Sequence, residues 1–540
     1  MISAPIRTGP VRGLRDRRQR SVRTRDEEGS AVVAAVALAA VLAILAAAVS
    51  ARTIGATVAV ESNAERTAAR SLAEHALLAT IGEIGGGAMA SDLRARRNLS
   101  RAVPLPPEVL DHAAATGATL EVNVTADGQD VLVGVEAVVG RATSLATARI
   151  RPHLASDLAW LTEHRAHDPP LFGLARHRCT VAPGDPGRDA GCADGALPPG
   201  PIDGPVHSND IPLLANDLGP DAPLTVPGGP VPGAAHRTEI VLPRTTRAAL
   251  GETPVTCRLR GPTLLRFDGA QVRVRSPRSV PRADDPSAPD RLLGCMGIDR
   301  ALLVDTVVVT LPETAVIEIV RDERADCVDH PLGLAPGEDA GRDWQCDGGD
   351  AFVWGRYLGA RSVVAEDSIQ LVWDVEPGDT SVATDPTAND VLGLVAGDSI
   401  VLRRPVGRGT RREPLGPNVA FAGPWIAPFG AYPLDAPAPT PSTWEEPRIV
   451  AALAALRGSV AVQHPQLGRA HSGDVVIRGS VASRFAPLLG WEHRNNAGSL
   501  VAFTGYRTDL RYDRRLERYP PPAMPMTDGG AVRILELDVG

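Results

Sequence analysis

Three groups of side chains in this 540-residue chain have types and spacings that could do chemistry. The first lies in the string Gly-Pro-Val-His-Ser-Asn-Asp at residues 204–210, where His207, Asn209 and Asp210 could bind a metal or act as acid and base. Asn and Asp beside Ser and Gly more often form turns through hydrogen bonds to their own backbone. We therefore interpret this string as a structural turn.

The second group is an acidic segment between residues 322 and 350. Its carboxylates are Asp322, Glu323, Asp326, Asp329, Glu338, Asp339, Asp343, Asp347 and Asp350. Calcium takes about six to eight oxygen ligands, so a calcium site is conceivable here. The spacing does not match the calcium-binding loop of helix–loop–helix proteins. We interpret the segment as a solvated loop closed by a disulfide.

The third group is the carboxylate pair Asp367 and Asp398. They occupy the same place in two copies of the pattern Ala-x-Asp-Ser-Ile-x-Leu, at residues 365–371 and 396–402. Paired carboxylates on neighbouring coils could cleave a polysaccharide. Equivalent turn positions of a repeat are also where Asp side chains stack, and we prefer that structural interpretation.

Other catalytic signatures are missing from the sequence. We find no nucleophile elbow, no zinc-protease helix motif and no phosphate-binding glycine loop. The sequence therefore predicts a protein that is not an enzyme, with no catalytic, cofactor-binding or metal-binding residue.

The element nearest the N-terminus is an uncharged apolar segment. Residues 1–29 hold eight Arg and four acidic residues, and residues 29–51 hold no charge. About 20 helical residues cross a bilayer, and Arg-rich flanks stay in the cytoplasm. We expect a single-pass cell-membrane protein with a basic cytoplasmic leader at residues 1–29 and an extracytoplasmic ectodomain. A cleaved secretory signal is the alternative.

The helical pattern continues past the apolar segment. Apolar residues recur near a 3.6-residue period, at Ala64, Leu72, Ala76, Leu77 and Ile81. Three consecutive glycines from Gly85 interrupt it. We predict a transmembrane and amphipathic stalk helix at residues 30–97.

All six cysteines follow this helix, in the region predicted to be extracytoplasmic. They are Cys179, Cys192, Cys257, Cys295, Cys327 and Cys346. An even number of cysteines in such a region indicates disulfides, and six cysteines allow about fifteen pairings. Pairing each cysteine with its neighbour closes the shortest loops.

The ectodomain has the composition of a mainly β protein. The chain has 53 Gly and 48 Pro but only 7 Phe, 7 Trp and 5 Tyr, and short Val/Ile/Leu strands recur between turns. We predict a small β meander at residues 98–155 and Pro/Gly-rich loops with short strands at residues 156–235. A parallel β-solenoid is predicted at residues 236–515, with a β-sandwich as the alternative. A C-terminal cap or tail is predicted at residues 516–540.

The N-terminus resembles minor pilins of the PilX-like class. It has their basic leader, then Gly29, then an apolar helix that runs into an amphipathic stretch at residues 64–78. The resemblance implies that Gly29 and Ser30 flank a processing site. Two positions depart from the pattern: Ala34 stands where a Glu is usual, and Glu28 where a basic residue is usual.

The C-terminal region extends the resemblance to pilus-associated ectodomains. Gly505 and Tyr506, then Tyr-Asp-Arg-Arg-Leu at residues 512–516 and a run of prolines, follow the repeated strands, and Gly-Pro-Val-His-Ser-Asn lies upstream. We expect Tyr506 and Tyr512 to cap the open end of the coils. The family implies no defined catalytic residue.

These observations predict a structural or adhesive surface protein that is a component or accessory of a type IV pilus or secretion-type assembly. The alternative is a cell-surface protein that binds or degrades polysaccharide. The expected partners are the membrane and either other pilin-like subunits or a surface polysaccharide. Nucleic acid is not an expected partner, because the basic leader is better explained by membrane topology.

Overall fold

A computed structural model of the chain shows a long helix followed by a β-rich region. It describes residues 27–86, 105–127, 130–172, 175–180, 189, 192, 202–209, 224–226, 235–236, 241–251, 253–280, 294–295, 298–322, 348–380, 385, 387–403, 446–463, 471–494, 500–527 and 532–539.

Helix α1 (Glu27–Gly86) has two parts with different surroundings. At 1.5 Å per residue it is about 90 Å long. Every side chain from residue 35 to residue 60 is exposed, including Leu42 and Val58. Beyond this point one face becomes buried, with Leu72, Leu77 and Ile84 at most 1% exposed. The helix ends at the predicted glycine run.

The buried face of α1 packs on a four-stranded antiparallel sheet in the order β1-β2-β3-β25. The strands are β1 (Thr119–Asp127), β2 (Asp130–Val139), β3 (Ala142–Pro152) and β25 (Val532–Val539). Alternate residues of β2, such as Val133 and Val135, face the helix and are buried, as period-two alternation requires. Helix α2 (Pro107–Thr116) precedes β1 and also contributes to this core.

The remaining described strands belong to one continuous, nearly barrel-shaped sheet. They are β4 (Trp160–His167), β5 (Ile202–Asp203), β6 (Val206–Ser208), β7 (Leu224–Val226), β8 (Ala235–His236), β9 (Cys257–Arg260), β10 (Thr263–Gly269), β11 (Gln271–Arg275), β12 (Gly294–Cys295), β13 (Val307–Thr310), β14 (Thr314–Val320), β15 (Ala351–Tyr357), β16 (Ala360–Ala365), β17 (Ile369–Pro377), β18 (Val391–Ala396), β19 (Ile400–Leu402), β20 (Arg448–Ala455), β21 (Val460–Val462), β22 (His471–Ala486), β23 (Gly490–Arg494) and β24 (Leu500–Tyr512). The described part of this region also has two short α-helices, α3 (Thr246–Leu250) and α4 (Arg515–Arg518).

Parallel ladders dominate this sheet. One ladder, here called ladder A, runs β9-β14-β16-β18-β20-β22-β4-β6-β7-β8. A second runs β10-β15-β17-β19-β21, and a third runs β20-β22-β24-β5. We call the whole arrangement the coil stack. Parallel pairing is what the solenoid prediction requires, whereas a β-sandwich is antiparallel.

The repeat found in the sequence is directly visible in the strand register. Ile369 pairs with Ile400 and Leu371 pairs with Leu402, so the two copies of the pattern lie one above the other. A third layer follows, because Ile400 pairs with Val460. These side chains are buried in the interior of the stack.

The chain enters the coil stack in its middle. Strand β4 pairs with β22, so the layers formed by residues 160–236 continue the stack that residues 257–512 build. The chain then returns to the sheet under α1, since β25 pairs with β3. Leu154 forms an isolated antiparallel β-bridge with Met526, and the Thr527 backbone amide donates to the His153 carbonyl at 3.0 Å. The coil stack is therefore inserted between two neighbouring strands of the α1 sheet.

The C-terminal strap (residues 513–527) crosses the outer side of ladder A. Leu516 and Met524 are at most 2% exposed and pack with outward-facing valines and alanines of the ladder. Gly393 has to be small here, because a Cβ would lie 2.9 Å from Pro521 Cβ. The Ser362 hydroxyl donates a hydrogen bond to the Pro522 carbonyl. The strap therefore covers apolar surface that the ladder leaves on its outer side.

The structure shows the predicted class, a mainly β chain behind a long apolar helix. The solenoid itself stays a prediction. Three details differ from the sequence expectations. Residues 156–235 supply β4 to β8 of the stack, and the C-terminal tail supplies β25. Tyr512 lies at the junction of β24 with β5 and not at an open end, because further layers stack beyond it.

Gly204 allows two parts of the stack to approach closely, which leads to a prediction. Its φ is +122°, and a Cβ there would lie 2.5 Å from Tyr512 Cβ and 2.9 Å from Ala159 Cβ. Gly204→Ala should lower the free energy of unfolding by about 3 kcal/mol, from strain and overpacking together. Gly117→Ala is the matched control, since Gly117 has a φ of +64° but nothing within 4 Å. It should cost about 1 kcal/mol. Equal losses in urea titrations would contradict the close approach.

Candidate functional site

The candidate carboxylates Asp367 and Asp398 lie at one corner of the coil stack. The Asp398 amide donates to the Asp367 carbonyl at 2.9 Å, so the two residues occupy consecutive layers. Asp367 is 1% exposed and is held by the Arg321 guanidinium and by the Gly349 amide, which donates at 2.8 Å. Arg457 contributes a further cation 3.9 Å away. The Asp367 carboxylate is therefore bound within this corner and is not open to a substrate.

Asp398 shares a cation with a second buried carboxylate, Asp168. Arg176 donates from Nε to Asp168 at 2.8 Å, and its Nη2 also contacts Asp398. Asp168 is 2% exposed, and the Ser399 hydroxyl donates to it at 3.3 Å. Burial raises the pKa of Asp168, and the neighbouring Asp398 raises it further, while Arg176 opposes both effects. One guanidinium thus contacts two carboxylates from distant parts of the sequence.

Another buried carboxylate fastens a segment to the outside of the stack. Glu163 is 3% exposed and accepts 2.6 Å hydrogen bonds from the Leu242 amide and from Arg244 Nη1. Burial raises the pKa of Glu163, and Arg244 opposes the shift. Glu163, Asp168 and Arg176 were not singled out from the sequence, because a lone acid or arginine has no local signature of its distant partner.

The string at residues 204–210 is not simply the turn that we expected, because Val206–Ser208 form strand β6. His207 is fully buried on β6, and its Nε2 lies 2.9 Å from Asn209 Oδ1. The Asn209 amide donates to the Thr162 carbonyl at 3.0 Å, which extends the ladder to β4. Asp210 lies outside the described residues. Within the described residues no group of His, Cys, Asp or Glu side chains has the arrangement of a metal site.

Two disulfides are present among the described residues. Cys179 is bonded to Cys192 and Cys257 is bonded to Cys295, in each case the neighbouring cysteine in sequence. The first begins directly after the 3₁₀ turn Arg176–Arg178, and the second lies at the β9–β12 pairing. Cys327 and Cys346 lie outside the described residues. So do residues 323–347, which include most of the acidic segment; Asp322 and Asp350 are described.

Asp350 takes part in a buried polar network. It is 0% exposed, accepts from the Ser368 amide at 2.9 Å and accepts from Gln370 Nε2 at 3.0 Å. Arg403 completes the network by donating to Gln370 Oε1 at 2.7 Å. These bonds satisfy the carboxylate within the protein, so it belongs to the fold of the stack.

The exposed part of α1 is the other candidate site. Within the described residues one helix is long and apolar enough to cross a membrane, and it is α1. Its exposed segment at residues 35–60 is about 39 Å long. Gly29 and Ser30, the processing candidates, lie in its first turn; residues 1–26, most of the leader, are outside the described residues.

Comparisons with known proteins add a weak structural likeness. No protein-family model matches the chain. No curated protein matches it either. The chain is similar to a solved structure, the competence-associated pilin ComZ from Thermus thermophilus, at 13% sequence identity and a TM-score of 0.23. The match covers 78% of this chain and 84% of that one. Because the TM-score is this low, the match does not establish a shared fold or function.

The shared cation predicts a pH-dependent loss of stability. Arg176→Met leaves Asp168 and Asp398 without it, so unfolding free energy should fall by about 3 kcal/mol at neutral pH. Because burial raises the folded-state pKa of Asp168, proton uptake relieves the repulsion on acidification. The loss should therefore be smaller near pH 4 and grow as pH rises through that pKa.

The control is Arg178→Met in the same turn. Arg178 is 57% exposed and pairs with Asp189 at 2.9 Å, so its loss should cost under about 1 kcal/mol at both pH values. Asp168→Asn added to Arg176→Met should recover part of the stability. Thermal unfolding of all four proteins across pH checks this, and a pH-independent loss in Arg176→Met would contradict the arrangement.

Proposed function

We propose that the chain is a membrane-anchored, pilin-like surface protein of a type IV pilus or related secretion assembly, in which the coil stack is the surface presented outside the cell. The observation that carries the proposal is the division of α1. Its first part is apolar and exposed on all sides, while its second part is amphipathic and covered by a sheet on one face.

The first part of α1 needs an apolar environment. Leu38, Leu42 and Leu45 are each more than half exposed, and no described residue covers them. Fully burying such a side chain contributes about 1.5–3 kcal/mol. A bilayer supplies this environment to a single chain, and a bundle of like helices supplies it within an assembly. A pilin-like subunit would use the exposed helix in both environments.

The sheet and the insertion support the same proposal. A helix whose second part packs on a small antiparallel sheet forms a compact unit next to the membrane. The coil stack leaves this unit after β3 and returns to it at β25, so both connections lie at one place. Such an insertion presents a large β surface without altering the anchoring unit.

The proposed orientation places the leader in the cytoplasm and the stack outside. The Arg-rich leader supports it. Two disulfides in the stack also support it, since disulfides persist in oxidising compartments.

We further propose that the protein is not an enzyme. Asp367 and Asp398, the strongest catalytic candidates, are both engaged by arginines at a buried corner. The purified protein is expected to leave acidic polysaccharides intact in a reducing-end assay. Cleavage that disappears in Asp367→Ala and Asp398→Ala variants, with folding retained, would show the proposal to be wrong.

The processing expected of a pilin-like protein gives a direct test. Mass spectrometry of the protein from cell membranes should show Ser30 as the first residue of the mature chain. An intact Met1 would count against the pilin-like route while leaving membrane anchoring possible.

Membrane anchoring has its own test in a charge scan of α1. Leu42→Arg places a charge near the centre of the apolar segment, where insertion costs about 2.5–3.5 kcal/mol. The variant should move from the membrane fraction to the soluble or degraded fraction. Val60→Arg is the matched control, because Val60 is 68% exposed but lies beyond Arg52, and this variant should stay in the membrane. Identical partitioning of the two would contradict a membrane role for residues 30–51.

A further inference from the structure

Strand β13 ends one wall of the coil stack. The second ladder runs from β21 to β10, and the antiparallel strands β11 and β13 continue it beyond β10. Strand β13 pairs with β11 on one side, and no strand among the described residues pairs with its other side. This wall of the stack therefore ends in an open strand edge.

The hydrogen-bond pattern shows which backbone groups lie on the open edge. In an antiparallel ladder alternate residue pairs exchange hydrogen bonds, and the residues between them direct their N–H and C=O groups to the opposite side. The Leu311 amide donates to the Ala270 carbonyl at 2.9 Å. By the register of the ladder, Val309 is therefore hydrogen-bonded to β11, whereas Val308 and Thr310 direct their N–H and C=O groups to the open edge.

Exposed apolar side chains are concentrated at this end of the stack. Val308 is 46% exposed. Leu302 and Val304, in the preceding 3₁₀ turn Arg300–Val304, are 55% and 48% exposed. Among the described residues of the coil stack one other large apolar side chain is exposed, that of Leu358 at 38%. A cluster of this kind is typical of protein interaction surfaces.

The sequence around β13 is symmetric about Val308. Residues 306–310 read Thr-Val-Val-Val-Thr in either direction, and none of them is charged. In an antiparallel pair of two copies centred on Val308, each Thr meets a Thr and each Val meets a Val. Such cross-strand pairs stabilise a sheet. The edge is thus complementary to itself, which is what a symmetric dimer interface requires.

Charged side chains lie beside β13 and not on it. Arg273, directly opposite Val308, lies 3.7 Å from the Asp268 carboxylate. Arg275 Nε donates to the Val304 carbonyl at 3.2 Å. These groups carry both signs and belong to the strands behind the edge, so charge does not select the partner.

Acidic residues lie beyond both ends of the symmetric segment. Asp305 precedes it and Glu313 follows it, and both are exposed. Asp299, also exposed, accepts from the Ala301 amide at 3.0 Å and so caps the 3₁₀ turn. In an antiparallel pair Asp305 of one copy approaches the Glu313 end of the other. This repulsion lies outside the paired segment and is screened by salt.

We propose that β13 pairs with β13 of a second copy of this chain, antiparallel and symmetric about Val308. The pairing joins two coil stacks end to end through β10, β11 and β13 of each copy. The two Val308 residues exchange main-chain hydrogen bonds, and Leu302 and Val304 become covered beside them. A second copy matches this edge better than a charged polymer, because the edge is uncharged and self-complementary. The inference is independent of the pilin-like assignment.

Cysteine cross-linking tests the symmetry directly. Because Val308 meets its own counterpart, full-length Val308→Cys protein in detergent micelles should form a disulfide-linked dimer under mild oxidation. Thr310→Cys is the matched control, since Thr310 is exposed on the same strand but its counterpart lies about 13 Å along the ladder. That spacing is too long for a disulfide. Absence of the cross-link in Val308→Cys, or equal cross-linking of both variants, would overturn the proposal.

A charge substitution changes the association itself. Val308→Asp places two carboxylates opposite one another across the edge, so light scattering should show a dimer dissociation constant raised about tenfold or more. Leu132→Asp is the matched control, because Leu132 is 41% exposed and lies opposite Arg149 as Val308 lies opposite Arg273. The control should associate like the wild type.

A mixing experiment shows whether Val308→Asp acts at the interface or through misfolding. Mixing it with Val308→Lys should restore the dimer, because opposite charges then meet across the edge. Wild-type protein that stays monomeric at about 100 μM would overturn the proposal. So would equal association of Val308→Asp and Leu132→Asp, or a mixture that stays monomeric.

Salt separates this interface from one driven by opposite charges. Raising the ionic strength from about 0.05 M to about 0.5 M should leave the dimer as tight or tighten it up to about threefold, because only the repulsion between Asp305 and Glu313 is screened. Dissociation of the dimer by salt would contradict an uncharged, self-pairing edge.

Discussion

The pairing of the outgoing and returning chain beside the α1 sheet is the constraint on which the architecture depends. Leu154 leaves the sheet where Met526 returns, and the Ala155 amide donates to the Pro525 carbonyl at 2.8 Å. Arg151 adds a hydrogen bond from Nη1 to the Glu517 carbonyl at 3.1 Å. These contacts bring the start and the end of the insertion together, so β25 can complete the sheet and β4 can meet β22.

A second consequence concerns charge. Because β4 stacks on β22, the turn after β4 comes to the corner built by the repeat, and Arg176 reaches both Asp168 and Asp398. Asp398, which looks catalytic in sequence, is thereby paired with a residue more than two hundred positions away, and Asp367 is held by Arg321. The proposed functional surface is instead the exposed part of α1, which no described element covers.

Local sequence patterns predict part of this structure, and the rest depends on pairing between strands that are far apart in sequence. The alternation of Ile369 and Leu371, repeated at Ile400 and Leu402, predicts strands in consecutive layers because turns and period-two burial are local properties. The apolar segment before Arg52 predicts a long exposed helix for the same reason. By contrast, the pairing of β22 with β4 joins sequences that share no local signature, so the order of layers could not be predicted. The role of β25 was also missed, because an isolated strand after a proline-rich segment looks like a tail.

The same contrast holds for the candidate sites. Neighbouring cysteines that close short loops suggested the two observed disulfides, whereas the partners of Asp398 could not be found without the fold.

Hydrogen–deuterium exchange of residues 532–539 in the full-length protein tests most directly whether the coil stack is an insertion in the α1 sheet. Amides of β25 should be protected about as strongly as those of β3, since the two strands share a ladder. Exchange of β25 at the rate of an unstructured peptide would contradict the insertion.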